Sequence, residues 1–267
     1  IETGSWVRSG RNRLSLVEEG SFQVVFGICR RSKKGETVCG DTFSFANYNR
    51  KRAVMLLSDG MGVGEPAYND SRKLIETFEA MLEAGIHEEY ALEILHNILL
   101  TKEKAEYATL DAAVVSLQTG TLKTLKAGGT ATFIRHKKTV ERITASSLPP
   151  GCLTEQRFEI CRRKLYDGDM VIMLSDGMLD FETISDDVPR METILQNIKT
   201  TNAQRFADEL MRWRRFRKTV MTTTVRCWWR LCGKLYGKRA GICEKDVRPE
   251  AGPVSYTHLT LPTKLEV

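Results

Sequence analysis

An apolar run that ends on Ser-Asp-Gly-Met occurs twice in this chain. The first copy is VMLLSDGMGVGEPA, Val54 to Ala67, and the second is VIMLSDGMLDF, Val171 to Phe181, about 120 residues further on. Apolar runs of this length read as fully buried strands. Each brings a carboxylate, Asp59 or Asp176, to the end of a buried strand, where an uncompensated charge is costly. The sequence offers no obvious histidine or lysine partner for either acid, so a bound cation is the economical compensation. A third acid, Asp41, follows Gly40 at another strand boundary. Strand ends on a rigid sheet hold side chains accurately. Aspartates together with backbone carbonyls suit hard cations such as Mg2+ or Mn2+. Taken singly, each Asp-Gly reads more readily as a mere hairpin turn; the repeat is what favours a site.

Around these strands the periodicity changes several times. Ile1 to Glu19 is polar and without a period, and reads as the end of a linker (1–19). SFQVVFGICRR, Ser21 to Arg31, is rich in β-branched and aromatic residues and predicts a strand. KKGETVCGD supplies a turn that delivers Asp41, and TFSFANY alternates as a half-buried strand. From Asn69 to Lys104 the spacing becomes helical, with Leu74, Phe78, Met81 and Leu82 before Gly85, and Ala91, Leu92, Leu95, Ile98 and Leu99 after it. This predicts an αα-hairpin over 69–104. ATLDAAVVSLQTGTLKTLKAGGTATFIRH reads as strand, turn, strand, Gly-Gly turn, strand. RFEICRRKLYDGDMVIMLS gives two more strands, joined as a hairpin at Asp167-Gly168. Two amphipathic helices are expected near Arg190 to Ile198 and Ala203 to Met211. Many strands joined by short turns, with helices set apart from them, predict an α+β layered sandwich with antiparallel sheets.

Composition mainly excludes. The content of 42% hydrophobic and 28% charged residues is ordinary for a soluble domain. The formal charge of +6 is concentrated between Arg212 and Arg248, so the remainder is close to neutral and a nucleic-acid partner is not expected. Seven cysteines, odd in number and without a CxxC pair, argue against a disulfide framework or a zinc site and for a reducing compartment. No apolar run approaches the ~20 residues of a membrane helix. There is neither a signal peptide nor a G-x-x-x-x-G-K phosphate loop. The chain starts without Met, which reads as a fragment of a longer protein, and the expected location of the fragment is cytoplasmic.

The segments CGDTF, LLSDGMGVGEPA, ATLDAAVVSL, GGTATFI, LPPG and DGDMVIMLSDG, in that order, resemble the metal-dependent PPM/PP2C protein phosphatases. They are most similar to the phosphatase domains of the stage II sporulation protein E family. The likeness runs from about Gly20 to Met211 (a 20–211 phosphatase domain), and SDGMGVG followed by a helical pair is particular to that branch. The resemblance implies a PP2C-like four-layer αββα sandwich of two antiparallel sheets with flanking helices, and two Mn2+ (or Mg2+) ions at one edge. Carried onto this chain, Asp59 would bridge both ions, Asp41 would bind one, Gly60 would contribute its main-chain carbonyl, and Asp176 would hold the other ion. The implied activity is protein serine/threonine phosphatase, with Asp41, Asp59 and Asp176 as the catalytic acids and no covalent enzyme intermediate. The implied substrate is a phosphorylated anti-sigma-factor antagonist, a small bacterial signalling protein. In the family the αα-hairpin is a switch element, and Gly62 and Gly64 would free the metal loop to follow it. Those helices are also a candidate homodimer contact. The parent protein would be membrane-anchored through an N-terminal region, with this domain on the cytoplasmic side.

Several residues read as structural. Asp111 belongs to the family pattern but is expected to be structural. His87, His96, His136 and His258 lack ligand spacing, with His96 expected on a helix surface, and RHKKTVER (Arg135 to Arg142) reads as a solvated hairpin tip.

The pattern breaks after Met211. Family members close with an acidic turn, whose aspartate is the fourth metal carboxylate, followed by an apolar strand. This chain has no Asp or Glu from Arg212 to Ile242. Read from the third base of each codon, Met221-Thr222 forces an aspartate codon, and Cys227-Trp228 and Trp228-Trp229 force leucine and valine. A frameshift between Met211 and Arg217 is therefore expected. VSYTHLTLPTKLEV reads as appended foreign sequence, making 212–267 a frameshifted and foreign tail. The alternative is a catalytically impaired PP2C-like domain acting as a phosphoprotein-binding or scaffold module.

Overall fold

The computed structural model describes residues 6–9, 12–15, 21–30, 39–48, 51–102, 107–179, 190–213 and 220–227. Strands β1 (Trp6–Ser9) and β2 (Asn12–Ser15) pair as a small antiparallel hairpin inside the segment expected to be linker. The main body contains β3 (Phe22–Cys29), β4 (Asp41–Tyr48), β5 (Arg52–Asp59), α1 (Glu65–Glu83), α2 (Glu88–Leu100), β6 (Leu110–Ser116), β7 (Thr121–Ala127), β8 (Thr132–Arg135), β9 (Val140–Ile143), β10 (Glu159–Lys164), β11 (Met170–Leu174), α3 (Met191–Asn197), α4 (Ala203–Trp213) and β12 (Val220–Cys227).

The strands form two five-stranded sheets, ordered β10-β7-β6-β5-β4 and β3-β12-β11-β8-β9, and every pairing in them is antiparallel. Three apolar layers hold them. Val54 and Leu56 of β5 meet Leu74, Phe78, Leu92 and Leu95 of α1 and α2. Ala53, Met55 and Leu57 of the same strand face Val171 and Met173 of β11 between the sheets. Met170, Ile172 and Leu174 of β11 meet Ile194, Phe206 and Leu210 of α3 and α4. This is the expected αββα sandwich, and it accounts for the repeated apolar run. Each copy lies inside its sheet with both faces covered, so neither needs a polar alternation.

Three sequence expectations give way. The strands on either side of Asp167-Gly168 do not form a hairpin: β10 pairs with β7 in the first sheet, whereas β11 lies between β8 and β12 in the second. The turn is a crossing between layers. Helix α1 starts at Glu65 rather than Asn69, because Pro66 in the first turn is preset for helix entry after Gly64. Beyond Met211, where the sequence offers poor strand material, the backbone runs as β12 between β3 and β11.

Among the described residues no helix is long and apolar enough to cross a membrane.

Candidate metal centre

Strands β4 and β5 are in a register that sets Asp41 directly opposite Asp59. Opposed residues in an antiparallel pair share a face, with Cα atoms about 4.5–5.5 Å apart. Since Ala53, Met55 and Leu57 face the other sheet, Asp59 continues that face at the sandwich edge, and Asp41 lies beside it. Asp41 is only 1% exposed. Two carboxylates placed this way repel each other unless a cation lies with them.

Backbone contacts fix the corner. The Asp59 N–H donates to Thr109 Oγ1 at 2.9 Å, and the Thr109 N–H donates to the Asp59 carbonyl at 2.9 Å. Ser71 Oγ, on α1, donates to the Gly40 carbonyl at 2.7 Å. A Cβ placed on Gly40 would lie 3.6 Å from the Gly60 carbonyl oxygen and 3.8 Å from Asp59 Oδ1, so both oxygens flank the residue that precedes Asp41. A Cβ on Gly60 would come within 1.9 Å of the Ala67 carbonyl oxygen, so only glycine lets the first turn of α1 close onto the strand end. Burial, with the Asp41 charge beside it, pushes the Cys39 thiol above its ordinary pKa. That keeps the neighbouring sulfur protonated and makes it a poor competitor for the site. A carboxylate pair with a main-chain carbonyl is an all-oxygen donor set, which fits a hard divalent cation.

Asp176 comes from the second sheet. It begins a single 3-10 turn, Asp176–Met178, just after β11, with its side chain exposed and its Oδ1 accepting the Gly177 N–H at 2.5 Å. The connection between β7 and β8 ties the strand that carries it to the first sheet. Ala127 pairs with Leu110, next to the Thr109 that holds Asp59, and Thr132 pairs with Met173. Between them the Thr130 hydroxyl donates to the Leu174 carbonyl. The structure therefore brings Asp41, Asp59 and Gly60 together at the end of the first sheet, while Asp176 follows β11 of the second. Among the described residues no three His, Cys, Asp or Glu side chains gather into a group able to hold a metal ion.

Two expectations about other residues change or sharpen. His96 is not on a helix surface: it is 5% exposed, and its Nδ1 accepts the Gly151 N–H at 3.0 Å, tying α2 to the loop after β9. Asp111 is structural as expected, but in an unusual way. It is directly opposite Lys126 and accepts from its Nζ at 2.9 Å, with side chains 4% and 2% exposed. Burial pushes the Asp111 carboxyl above its ordinary value, against the pull of Lys126. The sequence signal was available: Lys126 alternates with Leu122 and Thr124 on one face of β7, and a lysine on an apolar face calls for a partner.

The αα-hairpin is pinned at the other end of β5. Glu88, at the start of α2, is ion-paired to Arg52 and to Lys123 at 3.4 Å, and Glu89 is 3.1 Å from Lys123. Burial raises the Glu88 carboxyl, but a backbone N–H, Arg52, Lys123 and His87 outweigh it and leave the pKa lowered.

The geometry has clear relatives. The family model for stage II sporulation protein E matches residues 49–216. The chain is 32% identical over 205 residues to stage II sporulation protein E of Bacillus subtilis (strain 168), covering 76% of this chain and 25% of that protein. It is 30% identical over 193 residues to the protein of the same name from Priestia megaterium, covering 72% of this chain and 33% of that one. Thus it spans between a quarter and a third of these relatives. It also superposes on the solved structure of the PP2C phosphatase domain, with a fragment of the regulatory domain, of the cell fate determinant SpoIIE from Bacillus subtilis. That match has a TM-score of 0.70 at 31% identity and covers 78% of this chain and 64% of that one.

Proposed function

Because the chain belongs to the stage II sporulation protein E family, we propose that it is a divalent-metal-dependent protein serine/threonine phosphatase domain of the sporulation type. The observation that carries this reading is Asp41 directly opposite Asp59, with the Gly60 carbonyl at the same corner. Asp41, Asp59, the Gly60 carbonyl and Asp176 are the residues that would hold Mn2+ or Mg2+, two ions in the family's arrangement. When bound, such ions supply the Lewis acidity that readies a water and neutralises charge on a phosphoryl group. The chain's own part is placement. The β4–β5 register fixes the first two carboxylates, Thr109 fixes the turn, and α1 shields one side of it. The substrate would be a phosphorylated anti-sigma-factor antagonist, and the switch helices α1 and α2 a homodimer contact. In the whole protein an N-terminal region would hold this domain at the cytoplasmic side of a membrane.

A second reading has a specific observation behind it. Arg212 to Ile242 contains no acid, and the family match stops at residue 216, which supports reading 212–267 as out-of-frame and foreign sequence. A domain lacking its last metal carboxylate would keep the fold and act as a phosphoprotein-binding module. Phosphate release from a small phosphoserine protein, measured with added Mn2+ and with chelator, separates the two. Metal-dependent release supports the phosphatase. Phosphoprotein binding that ignores chelator, without release even after the frame is restored, overturns it.

A further inference from the structure

The first sheet supplies Asp41, Asp59 and Gly60, and the second supplies Asp176, so any shared site needs the two sheet edges held in register. An apolar layer can slide, whereas hydrogen bonds to a charged group fix a geometry. Among the described residues, a polar chain spans the gap. Asp111 lies on β6 directly opposite Leu57, two residues before Asp59. Its carboxylate accepts from Lys126 Nζ at 2.9 Å, and the same ammonium donates to the Thr130 carbonyl. Thr130 then donates through its hydroxyl to the Leu174 carbonyl, two residues before Asp176. The backbone packs closely around these contacts. A Cβ on Gly129 would be 2.2 Å from Asp111 Oδ1, so the crossing segment lies directly against the carboxylate.

We propose that the buried Asp111–Lys126 pair, acting through Thr130, is a positioning element that sets the Asp176 turn of one sheet at the correct distance from the Asp41–Asp59 pair of the other. This rests on the metal-dependent reading above. It makes Lys126 and Thr130 determinants of metal affinity although neither is a ligand. A buried ion pair is weak evidence for stability in itself, because desolvation offsets much of its attraction. Fixing a geometry is the better reason to keep one at a sheet edge. Thr130 is the informative position for a test, since its hydroxyl can be removed without uncovering the buried charges.

The test is calorimetric titration of Mn2+ into the wild-type chain, Thr130→Val and Thr130→Ser, with thermal unfolding of each metal-free protein. Outer-shell partners of metal ligands typically change affinity by about 10–100-fold. Thr130→Val is expected to weaken Mn2+ binding about tenfold while its unfolding midpoint stays close to wild type, and Thr130→Ser is expected to restore binding. A Thr130→Val protein that binds Mn2+ as wild type does overturns the inference and leaves the phosphatase reading intact. So does a serine variant that binds as weakly as the valine one. A chain that binds no Mn2+ even after the frame is restored overturns both.

Discussion

Replacing Glu88 with glutamine removes one charge from a buried cluster without changing the shape of the side chain. The Glu88 side chain is 2% exposed, and its partners Arg52 and Lys123 are 27% and 16% exposed. Breaking a fully buried pair by removing one partner costs about 3–5 kcal/mol. Both cations here retain some water, and Lys123 keeps Glu89 at 3.1 Å. About 2 kcal/mol is therefore expected, roughly half the full penalty. The pH dependence follows from the lowered pKa of Glu88 in the folded chain. Its stabilising contribution is complete above the unfolded value, about 4.3, and is lost as pH falls through the lower folded value. Urea unfolding of wild type and Glu88→Gln at several pH values reads this directly. The difference should be about 2 kcal/mol at pH 7, begin to shrink as pH falls below the unfolded value, and vanish only once the folded carboxyl is protonated as well. A difference that persists undiminished at low pH, or that is absent at pH 7, would mean that this cluster does not anchor α2 electrostatically.

Two other substitutions probe the packing. Gly60→Ala must push the start of α1 away from β5, since the new methyl would be 1.9 Å from the Ala67 carbonyl oxygen. A loss of about 1–3 kcal/mol in unfolding free energy is expected, together with weaker Mn2+ binding. Phe78→Ala opens a cavity between α1 and the first sheet, where Phe78 is fully buried, and should cost about 3–5 kcal/mol by denaturant unfolding.

The sequence made the centre of the fold legible because its signals there are local. The two uninterrupted runs of β5 and β11, the helical spacing from Leu74 to Leu99 and the acids at strand ends can all be read from consecutive residues. What was missed depends on partners distant along the chain. Asp167-Gly168 has the chemistry of a hairpin turn, yet the flanking strands find their partners in different sheets. His96 falls at a position that helix spacing alone leaves open, and its burial comes from the loop carrying Gly151, 55 residues away. Strand β12 was not foreseen because basic residues interrupt its surroundings. The gap between β3 and β11 is nevertheless closed by that backbone. At the site, the acids were named from sequence, but the register that opposes Asp41 to Asp59 and the Lys126 link to Thr130 are visible only in three dimensions.

The opposed carboxylates at the start of β4 and the end of β5 stand or fall as a divalent-cation site on one titration. Mn2+ is titrated into the metal-free chain and into Asp59→Asn, with far-ultraviolet circular dichroism on both. Saturable binding by the wild type and its loss in Asp59→Asn, with the spectrum unchanged, are expected. Binding of equal strength by both proteins would contradict such a site.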